Sequence, residues 1–139
     1  MPSPSTDRPG VWVEIAPGEL IDKLTILDIK LERIADPAKR RHIEAERAAL
    51  EASRTQSAPE STELTRLTAE LKAVNEALWD VEDALRRCER DGDFGPHFVE
   101  LARSVYHRND QRAALKRAIN ELLGARFMEE KSYVDYQHP

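Results

Sequence analysis

Eight positions set the frame of this chain. Leu64, Leu67, Leu71, Val74, Leu78, Val81, Leu85 and Cys88 follow one another at alternating steps of three and four. That 3.5-residue repeat marks a helix lying along another helix. A second stripe, Leu20, Leu24, Leu27, Leu31 and Ile34, has the same spacing. A third opens with Phe98, Leu101 and Val105 and closes with Leu115, Ile119 and Leu122. Strand-like runs are confined to the two ends. Val11-Trp12-Val13-Glu14-Ile15 alternates and is rich in β-branched residues, and Tyr133 to Tyr136 could also be extended.

Punctuation residues divide these stripes. Residues 1–10 read as a disordered tail, and 11–139 as a single helical domain. Pro17 suits a first helical turn, which starts a helical region over 18–54. That region is broken at 36–37, because a residue before proline is pushed out of the α conformation; Asp36 can also cap the second segment. Residues 53–63 hold a cluster of Ser and Thr with Pro59 and form a linker. Ser57 and Glu60 have capping-box spacing, which starts the next helix near Ala58 and runs it over 58–91. Gly92 ends it, Asp93 to Pro96 turns the chain, and the last helix spans 96–123 before Gly124 and a tail over 125–139. The expected fold is all-α: an elongated antiparallel three-helix bundle, or coiled-coil-like hairpin, with a kinked first helix and short extended segments at both ends. The tail segment 133–136 could pair with 11–15.

Two breaks in the pattern bear on function. Asp22, Ile26, Ile29 and Arg33 project from the first helix opposite its main stripe. A helix apolar on two sides is buried on two sides. A three-helix bundle leaves that second side free, so Ile26, Ile29 and Arg33 are the expected interface of a homo-oligomer or with a protein partner; a folded-back tail is the alternative. The last helix has its own break, since its stripe passes through Arg108 or Asn109 and then Arg112. Burying such groups unpaired costs several kcal/mol. Asp22, Asp28, Glu82 or Asp83 could pair with them. The layer is either a structural device that fixes register or a pocket in which Arg112 holds a carboxylate or phosphate.

Composition narrows the classes. The 139 residues are 40% apolar and 34% charged, with mean hydropathy −0.62, a balance that fits an elongated helical protein better than a compact α/β enzyme. The net charge of −5 argues against global attraction to nucleic acid or an anionic membrane. The basic run of Arg103, Arg108, Arg112, Lys116 and Arg117 is matched by Asp80, Glu82, Asp83, Glu89 and Asp91 on the preceding helix. No stretch approaches a membrane span, and the first ten residues carry no apolar run of a signal peptide. One cysteine, Cys88, cannot form an internal disulfide and fits a reducing, cytoplasmic setting; as the end of the heptad ladder it reads as a small buried hydrophobe. The four histidines lie too far apart in sequence for a zinc motif, and there is no P-loop, G-x-G-x-x-G or G-x-S-x-G. No metal and no cofactor is expected.

Two blocks carry a resemblance. One runs from Gly18 to Ile34, GELIDKLTILDIKLERI. The other passes through Gly92 to Gly95, Asn109 to Arg112, Leu115 to Asn120 and Glu129 to Tyr133. They resemble a family of short bacterial helical proteins catalogued only as a domain of unknown function, over nearly the whole chain except its first ten residues and the middle linker. The resemblance implies a bacterial, cytoplasmic protein. It also implies that Glu19, Asp22, Lys23, Lys30, Asn109, Arg112, Lys116, Asn120, Glu130 and Lys131 belong to one ligand-binding site, or to one structural polar network. It supplies no catalytic residue. The chain also resembles the all-helical chorismate mutases in Ile21-Asp22, Lys30, Arg33 and Arg112. It departs from them in lacking a doubled I-D-x-I-D pattern and in the break at Asp36-Pro37. The reading is a helical protein-interaction module that pairs with its own copies, a homodimer, and serves as an adaptor or accessory subunit. The alternative is a small-anion-binding protein or enzyme built around Arg112, Asn109, Asp22 and Lys30.

Overall fold

Proline, aspartate and serine start the helices, and glycine stops two of them. The computed structural model describes residues 9–138. It contains α1 (Pro17–Arg33), α2 (Pro37–Ser57), α3 (Thr62–Asp91) and α4 (Pro96–Leu122), and no strand among the described residues. Proline opens α1, α2 and α4, where its missing N–H costs nothing. The Asp36 carboxylate accepts from the Ala38 N–H at 3.3 Å, and the Ser61 hydroxyl accepts from the Leu64 N–H at 3.1 Å. Gly92, at φ +66°, ends α3 in the left-handed conformation, and the Asp93 N–H reaches back to the Cys88 carbonyl at 2.9 Å. The expected disordered tail falls mainly on residues 1–8, which lie outside the described residues.

The expected start of α3 needs correction. Ser57 is the last residue of α2, where its hydroxyl donates to the Ser53 carbonyl, and α3 begins at Thr62 behind Ser61. Pro59 explains the shift. It holds Ala58 extended, at φ −128° and ψ 97°, so no helix can run through that position.

The break near Asp36 is a reversal and not a kink. Along one continuous helix, Asp28 and Arg47 would stand roughly 28 Å apart. Instead the Arg47 Nε bonds the Asp28 carboxylate at 2.5 Å, and the Arg40 guanidinium bonds the Leu31 and Ile34 carbonyls. α1 and α2 are therefore an antiparallel hairpin, and the molecule has four helices among the described residues. α1 is their common neighbour: it packs against α2, α3 and α4, whereas α2 packs against α1 alone. α3 and α4 form a second antiparallel hairpin, since Asn75 and Arg112, equally far from the turn at Gly92–Gly95, meet on the same α1 residue.

Leu20, Ile21 and Leu24 of α1 cluster with Ala58, Leu64, Leu67 and Leu71 and with Ile119 of α4. α1, about 25 Å long, is shorter than α3, about 45 Å. It covers α3 only as far as Asp80, which Arg33 at the end of α1 bonds. Leu64, Leu67 and Leu71 of the heptad ladder are buried and Val74 and Leu78 half-buried; beyond Asp80, Val81 and Leu85 are half-buried and Cys88 is buried again near the turn.

The same geometry bears on the second apolar side of α1. Ile29 is 1% exposed, and Arg33 lies against Asp80 and over the Trp79 ring. Of the three residues expected at a partner interface, only Ile29 is buried within the chain; Ile26 is half-buried and Arg33 exposed. The tail does not pair with 11–15. It runs back along α4, where the Tyr136 ring packs on Tyr106 and His107 at centroid separations of 4.7 and 5.0 Å. Among the described residues no helix is long and apolar enough to cross a membrane.

Candidate functional site

One face of α4 presents Arg112, Lys116 and Asn120 at helical steps of four, and α1 meets it with Asp22, Glu19 and Gly18. Asp22 is 1% exposed. It accepts from the Arg112 Nε at 3.0 Å, the Arg112 Nη2 at 2.5 Å and the Asn75 Nδ2 at 2.9 Å. Asn75 also donates to the Thr25 hydroxyl at 2.9 Å, and that hydroxyl donates to the Asp22 carbonyl at 2.7 Å. The fork of the guanidinium on the carboxylate is the strong, directional form of an ion pair. Its bond to Asp22 holds Arg112 above the ordinary guanidinium value, against burial.

One turn along α4, the Lys116 ammonium lies 2.7 Å from Glu19 and 2.8 Å from Glu129 of the tail. Burial acts to lower the Lys116 value, but the bonds to Glu129 and Glu19 outweigh it and leave it raised. The Lys116 bond in turn holds the Glu129 carboxyl below its ordinary range. One turn further, the Asn120 Oδ1 accepts from the Gly18 N–H at 2.6 Å. Here the backbones nearly touch, because a Cβ on Gly18 would sit 2.4 Å from the Lys116 carbonyl oxygen. Glycine is required at this position by close approach.

The residues expected from the sequence to form one site divide accordingly. Glu19, Asp22, Arg112, Lys116 and Asn120 come together at the α1–α4 seam. Glu130 bonds Arg117 at 3.4 Å, and Lys131 lies 3.6 Å from Glu129, both on the tail side of α4. Lys116, Arg117, Asn120, Glu129, Glu130 and Lys131 line a 220 Å³ cavity there. Lys23 is exposed, Lys30 and Asn109 are half-buried, and none of the three joins this network. Asp28, also considered as a partner for Arg112, takes Arg47. Asn75 and Thr25 have no signal in the sequence pattern. Asn75 sits beside the ladder residue Val74, and a straight helix of 3.6 residues per turn drifts off a 3.5 repeat until Asn75 faces inward.

No buried side-chain nitrogen or oxygen among the described residues lacks a hydrogen-bond partner. The arrangement is a seam in which each charge meets its opposite, and both Arg112 donors that face inward are spent on Asp22. Its bonds join α1 to α3 through Asn75 and to α4 through Arg112, Lys116 and Asn120. Exposed apolar residues lie elsewhere, before α1 and at the end of α4 as well as in the tail at Tyr133 and Val134. Val11, Trp12 and Val13 are 91%, 72% and 71% exposed, and Leu122 and Phe127 are 42% and 46% exposed. Glu14, before α1, is tied to Arg126, beyond α4, by an ion pair at 3.2 Å.

No curated protein and no solved structure matches this chain. Residues 11–137 match the family described as "Family of unknown function (DUF6165)", a span that takes in the four helices, the polar seam and both extended ends. The chain belongs to the DUF6165 family.

Proposed function

We propose that this chain is a helical protein-interaction module, an adaptor or accessory subunit, and that it docks through the apolar end around Val11–Ile15. The observation that carries this reading is the exposure of three consecutive apolar residues, Val11, Trp12 and Val13, on a chain that is 34% charged and has polar residues to spare. Contiguous exposed apolar patches on soluble proteins mark contact sites. Tryptophan is also among the side chains that dominate binding energy at interfaces. The polar seam plays the supporting part: by fixing α1 against α4 it fixes the direction in which the 11–15 segment leaves the body. An anion pocket at Arg112 is the weaker reading, because a ligand would have to displace a carboxylate that is 1% exposed.

Photocrosslinking in the cells that make the protein tests this reading. A photoreactive phenylalanine analogue placed at position 12 is expected to give covalent protein adducts. The same analogue at position 42, exposed on α2, is expected to give none. Equal adduct patterns at the two positions, or none at either, would overturn the assignment of the docking surface.

A further inference from the structure

Resting on that reading, we propose that the occupant of the apolar end is a second copy of this chain, and that the two copies pair their Val11–Ile15 segments antiparallel about a two-fold axis through Val13.

Two independent features of the segment point to strand pairing. Its side chains are exposed, and among the described residues its backbone takes no backbone hydrogen bond from 11 to 15. It lies outside every helix with its backbone unpaired, and its β-branched alternation suits the extended form that accepts another strand. The sequence then selects the partner strand. Val11, Val13 and Ile15 alternate with Trp12 and Glu14, so the odd positions share one face. Antiparallel pairing about Val13 sets Val11 opposite Ile15 of the second copy and Val13 opposite itself. The β-branched residues of both copies then form one continuous apolar face. On the other face Trp12 stands opposite Glu14 of the second copy. Because Glu14 holds Arg126, the same step brings a guanidinium towards the indole, a favourable cation–π pairing.

A two-stranded ribbon is not stable alone, so further burial is required. Phe127, whose ring Arg126 covers while pairing with Glu14, and Leu122 at the end of α4 are exposed and available to supply it. Val11, Trp12, Val13, Ile15, Leu122 and Phe127 together expose an area of the same order as the roughly 800 Å² per partner of a standard interface. A two-fold arrangement brings both copies' patches into a single closed contact.

Cysteine crosslinking reads the register. The one native cysteine, Cys88, is 6% exposed and stays silent. In Val13→Cys the two thiols face each other across the axis, within about 5 Å between Cβ atoms. In Val11→Cys they lie about 13 Å apart along the ribbon. Both substitutions fall outside the helices, so the fold is retained. Under mild oxidation the Val13→Cys protein is expected to form disulfide-linked dimers at least tenfold faster than Val11→Cys. The parent protein should show twice the 15.8 kDa of one chain by light scattering. Equal crosslinking rates, or a parent of single-chain mass, would overturn the pairing. A single-chain mass with persistent adducts at position 12 in cells would remove the second copy as occupant and leave the docking surface standing. Loss of both would remove the docking surface as well.

Discussion

Replacing Arg112 with alanine separates a structural seam from a ligand pocket. Asp22 is 1% exposed and receives two hydrogen bonds from Arg112 and one from Asn75. Arg112→Ala leaves that carboxylate inside the fold with a neutral amide as its only side-chain donor. Removing one partner of a buried ion pair costs about 3–5 kcal/mol, because the remaining charge stays desolvated. The Arg112 side chain is itself 30% exposed, so water can reach the gap and the cost falls near the lower figure, about 3 kcal/mol. In a chain of this size that is a drop of roughly 12 °C in Tm. Urea titration followed by circular dichroism gives the free energy, and a thermal melt gives the shift. The double substitution Asp22→Leu with Arg112→Met removes both charges and should recover most of the loss, as apolar replacements of buried ion pairs do. A loss below about 1 kcal/mol in Arg112→Ala would refute the argument, as would a double variant no more stable than the single one.

Gly18→Ala should destabilise by about 1–3 kcal/mol in the same titration, despite alanine's better helix propensity, because its Cβ would press on the Lys116 carbonyl; an unchanged or raised stability would contradict the close approach. Asn75→Ala should cost about 1–2 kcal/mol, less than Arg112→Ala, because the carboxylate keeps its guanidinium. The tail contact should depend on pH in two directions. Glu129 is held below its ordinary 4.5, so its contribution is present above that pH and is lost as the pH falls through the lowered value. Lys116 is held above its ordinary 10.5, so its contribution is present below that pH and is lost as the pH rises further. The tail's hydrogen-exchange protection, taken relative to the intrinsic exchange rate at each pH, should therefore fall in acid before that of α1, α3 and α4, and a tail equally protected at pH 3 and pH 7 would count against the ion pair.

Much of the helical frame was legible because it is local. Proline at helix starts, Asp36 as a cap and Gly92 as a stop act within a turn of their own position. The direction of the chain after Asp36 is not local. Asp28 and Arg47 are ordinary charges until the helix reverses, and only the reversal supplies α2 as a further neighbour of α1. With α2 taking the Asp28 side, the side of α1 that carries Asp22 and Arg33 is met by α4 at Arg112 and by α3 at Asp80, and Ile29 between them is buried. The polar seam was half legible: Asp22 and Arg112 stand out as charges on apolar stripes. Asn75 does not, because a 3.5-residue ladder assigns the inward position to Val74. Gly18 and Asn120 meet through a backbone approach that carries no periodic signal at all. The exposed end shows the converse. The alternation of 11–15 was visible in the sequence, but its lack of a partner strand emerges only once the tail is seen to lie along α4.

The most direct test of the account is amide hydrogen exchange in residues 11–15 of the purified full chain, compared between dilute and concentrated samples. If a second copy pairs with this segment, alternate amides within 11–15 become protected as concentration rises and exchange freely on dilution, while those of α1 stay protected throughout. Exchange at the rate of an unpaired chain at every concentration would contradict the account.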